Sequence, residues 1–188
     1  MTQKRKAAVA RPVPWTAGGQ QTDDDGVTEA EIIEFAAGLE DVAVLTASEE
    51  NGAPEVAWGD SFFYYVPEGA ELADQRHPFA TLVRGDYPGF DVESELDRPG
   101  IFRLNLAVGR ESYQRLLGHS AAEHEQRHSD YDYTEADVLL PHPTYASQGW
   151  VSIVNPGPNT TDQAKELFTH ALDLAVARYR RKSRKATG

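Results

Sequence analysis

The chain has 188 residues, no cysteine and a formal net charge of −12. That length suits one domain burying roughly two thirds of its unfolded-chain surface. The lack of cysteine excludes disulfides and thiolate metal sites, and the chain has no run of about 20 apolar residues that could cross a bilayer as a helix.

The charge is unevenly placed. Four of the 18 basic residues fall in the first 11 positions and six in the last 11, whereas all 30 acids lie between Asp23 and Asp173. Residues 23–177 therefore set eight basic side chains against 30 acidic ones, a balance of −22. Such a body repels phosphate backbones and is not expected to take nucleic acid. The two basic ends offer nonspecific attraction to nucleic acid or to an acidic partner, if they are more than solvated tails.

Residues 1–22 are rich in Gly, Pro, Gln and Lys/Arg without an apolar period, which predicts a disordered basic leader carrying one large aromatic, Trp15. Lys4-Arg5-Lys6 looks like the charged start of a signal peptide, but Ala7-Ala8-Val9-Ala10 is too short an apolar segment before Arg11 and Pro12. A cytoplasmic protein is expected. Thr28-Glu29-Ala30-Glu31 reads as a capping box, and Ile32, Phe35, Ala36 and Leu39 follow at helical spacing, predicting a helix over about 29–38.

Val42-Ala43-Val44-Leu45-Thr46 reads as a strand, Asn51-Gly52 as a hairpin turn, and residues 55–66 as the returning strand. In that strand Trp58, Asp60, Phe62 and Tyr64 alternate against Ala57, Gly59, Ser61 and Phe63, which predicts a carboxylate on a large aromatic face. A buried Asp60 needs a partner, and Arg103 on a neighbouring strand is the expected one.

Residues 79–83 and 101–108 supply two more strands, the second with Arg103 and Asn105 on one face. Between them lie the turn Asp86-Tyr87-Pro88-Gly89-Phe90-Asp91 and an acidic stretch over 93–97. Residues 111–117 read as a helix stopped by Gly118, Ser120 to Glu123 as a second capping box, and 134–140 as a short helix. Pro141-His142-Pro143 forces an extended segment. Residues 149–154 form the next strand, and Thr160 with Gln163 opens, as a third box, a long amphipathic helix that runs into the basic residues 178–188. Hairpin-length connections and helices with single apolar stripes predict an α+β domain over 23–177: two layers, a mostly antiparallel sheet of about five strands, and helices on one face.

Four separated motifs carry a resemblance. Trp58-Gly59-Asp60-x-Phe62-Phe63-Tyr64, Asp86-Tyr87-Pro88-Gly89-Phe90-Asp91, Leu96-Asp97-Arg98-Pro99-Gly100 and Leu140-Pro141-His142-Pro143-x-Tyr145, with Gln148-Gly149-Trp150-Val151 after it, resemble an uncharacterised family of high-GC bacteria over roughly residues 28–181. That resemblance implies no activity. The order of elements, and the segment from Tyr145 to Trp150 before a strand and a final helix, is more distantly similar to the MmcQ/YjbR family, which implies a CyaY-like fold. That fold is sometimes likened to a nucleic-acid-binding shape, which the acidic body does not suit.

His124-Glu125-Gln126-Arg127-His128 spells H-E-x-x-H, in which two imidazoles one helical turn apart can share a metal while the Glu activates its water. His119, Glu135 or Asp137 could supply a third ligand. The flanks are polar and no buried stripe anchors the segment, so a solvated helix face is the expected state and no metal or other cofactor is assigned. Asp130 to Thr134 begins like a calcium loop but has Glu135 where the glycine belongs.

A polar and aromatic set remains: Trp58, Asp60, Tyr64, Asp86, Tyr87, Arg103, Asn105, His142, Tyr145 and Trp150, with Asp91 and Arg110 nearby in sequence. These residues could line one ligand pocket or could be ion pairs and core aromatics. The residues support a noncatalytic module that binds an unidentified small ligand or protein partner, as a monomer or small homo-oligomer, with no membrane. A metal-dependent hydrolase on His124 and His128 is the enzymatic alternative, and nucleic-acid association through the basic ends the other.

Overall fold

The computed structural model describes residues 26–75 and 77–186, so the leader expected over 1–22 lies outside the described residues. Its elements in chain order are α1 (Glu29–Ala37), β1 (Val42–Thr46), β2 (Ser61–Tyr65), β3 (Ala80–Val83), β4 (Arg103–Ala107), α2 (Gly109–Leu117), α3 (His124–Arg127), β5 (Leu140–Pro141), β6 (Trp150–Val154) and α4 (Thr161–Ala186). The strands form one antiparallel sheet in the order β1-β2-β3-β4-β6-β5. This is an α+β fold. Its sixth strand arises because Leu140 and Pro141 pair with Ser152 and Val151, where a helix over 134–140 had been expected.

Strand register sorts the side chains between two faces. Phe63 lies opposite Ala80, Ala80 opposite Leu106, and Leu106 opposite Val151, so these residues share the face on which the helices pack. There the Phe168 ring of α4 meets Phe35 of α1, Phe63 and Phe79 edge-on at centroid distances of 5.8, 5.1 and 5.2 Å. α2 is tied to α4 by Ser112 Oγ and His170 Nε2, 2.9 Å apart. The opposite face carries Phe62, Thr81, Asn105 and Ser152 in one row, with Arg103 two residues before Asn105.

The Thr28 capping box forms, with Thr28 N–H donating to Glu31 Oε2 at 2.8 Å and Glu31 N–H to Thr28 Oγ1 at 3.3 Å. The third expected box does not. The Thr160 hydroxyl donates to Asp137 Oδ1 at 2.6 Å, and Asp137 also accepts the backbone N–H groups of Gly157, Asn159 and Thr160. A distant carboxylate thus collects the donors ahead of α4 more fully than a glutamine side chain would.

The β1–β2 connection also differs from a tight Asn-Gly hairpin. Asn51 uses its side chain locally, accepting from Ser48 N–H and donating to Thr46 O, and residues 55–57 form a 3₁₀ turn. The second strand therefore starts at Ser61 rather than near 55, and Trp58 stays outside it at 43% exposure.

Candidate functional site

The turn between β3 and β4 organises the candidate residues. Tyr87 N–H donates to Asp91 O, while the N–H groups of Phe90 and Asp91 both donate to Tyr87 O, closing residues 87–91 into a small ring. Gly89 at its tip has φ +76°, which a side chain would resist. Closure sends Tyr87 and Asp91 inward and leaves Phe90 57% exposed. Asp86 braces the next segment: its Oδ1 accepts Leu96 N–H at 2.9 Å, and its own N–H donates to Asp97 Oδ1.

Two buried ionic groups meet this turn. Asp60, 1% exposed, accepts the Tyr87 hydroxyl and the Arg84 N–H, the latter at 2.8 Å. Arg103, also 1% exposed, donates from both terminal nitrogens to Asp91, from Nη1 to Ser94 Oγ at 2.7 Å, and from Nε to Asn105 Oδ1 at 2.8 Å. Asn105 in turn donates to Thr81 Oγ1 at 3.0 Å. The ion pair expected between Asp60 and Arg103 is therefore replaced by one between Asp91 and Arg103. The reason is geometric: the closed turn delivers a bidentate carboxylate to the guanidinium, and Asp60 is met by a hydroxyl and an amide.

Burial pushes the Asp60 carboxyl above its ordinary range, opposed by the Tyr87 hydroxyl, the Arg84 amide and the charges of Arg103 and Arg84. Burial likewise raises the Tyr87 hydroxyl, and the Asp60 hydrogen bond adds to it, so Tyr87 is a donor throughout the physiological range.

His142 lies 3% exposed beneath the same surface. Its Nδ1 accepts N–H groups from Thr144 and Tyr145 at 3.1 and 3.2 Å, which puts the imidazole proton on Nε2. Burial drives its pKa well below the usual value, helped by the Arg103 charge and then His124. Its ring meets Tyr145 at 5.0 Å and Trp150 at 6.3 Å, and Tyr145 meets Phe90 at 5.9 Å. Asp60, Tyr87, Arg103 and Asn105 are thus linked through one turn, with His142, Tyr145 and Trp150 joined to it by Phe90. Trp58 and Arg110 stand apart, donating to Ala53 O and Ser147 O. Tyr64 lies half-buried two residues beyond Phe62 on that face of β2.

A model of a family of unknown function, DUF6194, matches residues 27–184. The chain belongs to that family. No curated protein and no solved structure matches the chain.

The H-E-x-x-H segment of this DUF6194 domain is only in part the solvated helix face expected: Glu125, Gln126 and Arg127 are exposed, but His124 is not. α3 is four residues long, and His124 is buried with Nδ1 3.2 Å from the Tyr113 hydroxyl and Nε2 3.4 Å from that of Tyr133. His128, its ring 5.5 Å from that of His124, has Nε2 3.0 Å from Glu93 Oε2. His119 donates from Nδ1 to Ser120 O and accepts the Tyr131 hydroxyl on Nε2 at 2.7 Å. Asp137 is taken by the start of α4 and Glu135 is exposed. Among the described residues no group of three or more His, Cys, Asp or Glu side chains is placed to hold a metal ion. Burial lowers the His124 pKa to about 4, aided by His128 and His119.

Sequence reasoning did not anticipate the three tyrosines around His124, because Tyr113, Tyr131 and Tyr133 come from α2 and a loop that only the fold brings together. It also missed the way in which the last turns of α4 face the segment after β2. The recurrence of Arg178 and Lys182 beside Tyr179 was the available signal for that face.

Proposed function

We propose that this DUF6194 domain is a noncatalytic binding module that takes a basic peptide segment with apolar side chains at the tip of its 87–97 loop. One observation carries the reading: Phe90 and Val92, 57% and 45% exposed, flank an Asp91 whose carboxylate is locked onto fully buried Arg103. Exposed apolar side chains on a rigidly anchored turn form a recognition feature at low ordering cost. A buried ion pair adds little net stability but defines a geometry.

Charge selects the partner. Glu93, Glu95 and Asp97 are exposed beside Phe90 and Val92, so a segment mixing Lys or Arg with apolar residues is complementary and an acidic one is not. The candidate groups read as a pedestal for this surface, since Asp60, Arg103 and Asn105 are engaged with one another's neighbours inside the protein. We also read the fold as CyaY-like, on its order of a helix, antiparallel strands and a terminal helix, and the protein as cytoplasmic. No described helix is long and apolar enough to cross a membrane.

A random-peptide library selected on the intact chain and counter-selected on a Phe90→Asp variant tests the function. Enrichment of peptides rich in Lys or Arg with aliphatic or aromatic residues, bound by the parent and not by the variant, is expected. Peptides without that bias, or held equally by both proteins, would show that the loop is not the recognition surface. Stronger selection by a chain lacking residues 1–22 would identify the basic leader as a competing occupant in cis.

A further inference from the structure

A second surface lies at the other end of the molecule, where the C-terminal turns of α4 face the segment that follows β2. Between them runs a groove of ≈ 700 Å³, a volume in the range of small-molecule sites. Its helical wall presents Arg178 and Lys182 one turn apart with Tyr179 between them in sequence. Both cations are exposed, and neither makes an ion pair or hydrogen bond among the described residues. In a chain whose body carries −22, two adjacent free cations form a local inversion of the field.

The remainder of the groove is suited to a flat ring. Tyr65, at the end of β2, meets Tyr179 edge-on at 5.7 Å, and its hydroxyl is spent on Asp41 at 3.4 Å, so what it brings to the groove is ring surface. Ala70 and Ala73 keep the facing wall low. Asp74 and Gln75 also line it, one an acceptor and the other both donor and acceptor. Asp74 also opposes a purely polyanionic ligand, which favours one that carries its charge at one end.

We propose that this groove binds a nucleoside phosphate, with the phosphate on Arg178 and Lys182, the base against Tyr65 and Tyr179, and the base edge read by Asp74 and Gln75. Cations for phosphate and aromatic faces for bases are a pairing that proteins use on nucleotides and single strands. The same chemistry is offered by a free nucleotide and by the phosphorylated end of a single strand.

Calorimetric titration of the full chain at low salt with AMP, adenosine, inorganic phosphate and a 5′-phosphorylated oligoadenylate tests the proposal. AMP is expected to bind at least about tenfold more tightly than adenosine or phosphate. Arg178→Glu with Lys182→Glu is expected to weaken AMP at least about tenfold, while Arg184→Glu with Lys185→Glu, the same charge change outside the groove, leaves it within about twofold. Thermal melts of both exposed-site variants confirm the fold. Oligoadenylate binding more tightly than AMP assigns the site to strand ends, and equal binding assigns it to free nucleotides; both keep the proposal. Phosphate binding as tightly as AMP, equal losses in the two double variants, or no binding by any probe overturns it.

Discussion

Asp91 and Arg103, twelve residues apart, form a bidentate ion pair with side-chain exposures of 8% and 1%, joining the base of the 87–91 turn to the middle of the sheet. Asp91→Ala leaves the guanidinium buried without its counter-charge, so a loss of about 3–5 kcal/mol is expected in urea denaturation. Asp91→Leu combined with Arg103→Met removes both charges and is expected to recover most of it. Amide exchange separates stability from anchoring: the Phe90 and Asp91 N–H groups, which donate to Tyr87 O, exchange faster in both variants. A single variant as stable as the parent would mean that the pair is dispensable and the loop held by other contacts.

Tyr87 and Asp60 make a different prediction because the acid there is raised, not depressed. Burial leads that shift, so the folded state binds the Asp60 proton more readily than the unfolded chain does. The group's contribution is therefore fully present below the unfolded value and is lost as pH rises through the folded one. Removing the Tyr87 hydroxyl takes away a donor that the ionised carboxylate needs. Tyr87→Phe is expected to cost about 1.5–3 kcal/mol near neutral pH and less once the carboxyl is protonated. Carbon NMR of Asp60 should titrate higher in the variant; an unchanged titration would show that the hydroxyl does not hold the charged form.

The sequence reveals elements better than partners. β1 is legible from Val42-Ala43-Val44-Leu45-Thr46, and α1 from Thr28 and Glu31, because strand alternation and capping act within a few residues. The presence of Asp60, Arg103 and Asn105 among buried polar groups is legible too, since charges within apolar runs need company. Which carboxylate reaches Arg103 is not, because that depends on how the 87–91 turn closes and where β3 and β4 carry it. The same limit explains Trp58, read as a strand residue by alternation but released by the 3₁₀ turn at 55–57. It also explains His124, whose tyrosine partners come from separate elements.

Acid should destabilise the fold through its buried histidines. His124 has a folded pKa of about 4 against an ordinary 6.5, so the unfolded chain takes up the proton first as pH falls. Stability is full above about pH 6.5 and declines down to about pH 4, by as much as about 3 kcal/mol from this group. His142 is shifted in the same direction and adds to the loss. His124→Gln keeps a donor and an acceptor for Tyr113 and Tyr133 but cannot titrate. Its urea midpoint is expected to fall less between about pH 7 and pH 5 than that of the parent, and equal falls would assign the acid sensitivity elsewhere.

Zinc provides the remaining test of the H-E-x-x-H segment. Both His124 nitrogens lie against tyrosine hydroxyls, and His128 faces Glu93. The two rings are 5.5 Å apart, but a metal bridging them would have to displace Tyr113 or Tyr133 from a buried cluster and take His128 from Glu93. The first step costs a hydrogen bond to a buried group and the second the exposed contact with Glu93. Imidazole NMR during zinc titration is expected to leave His124 unshifted, with any effect confined to His128 and Glu93 at the surface. A stoichiometric shift of His124 and His128 together, abolished by His128→Ala, would restore the metal-dependent hydrolase as the better reading. Loss of the His124 response without loss of metal in that variant would instead place the ion on other ligands.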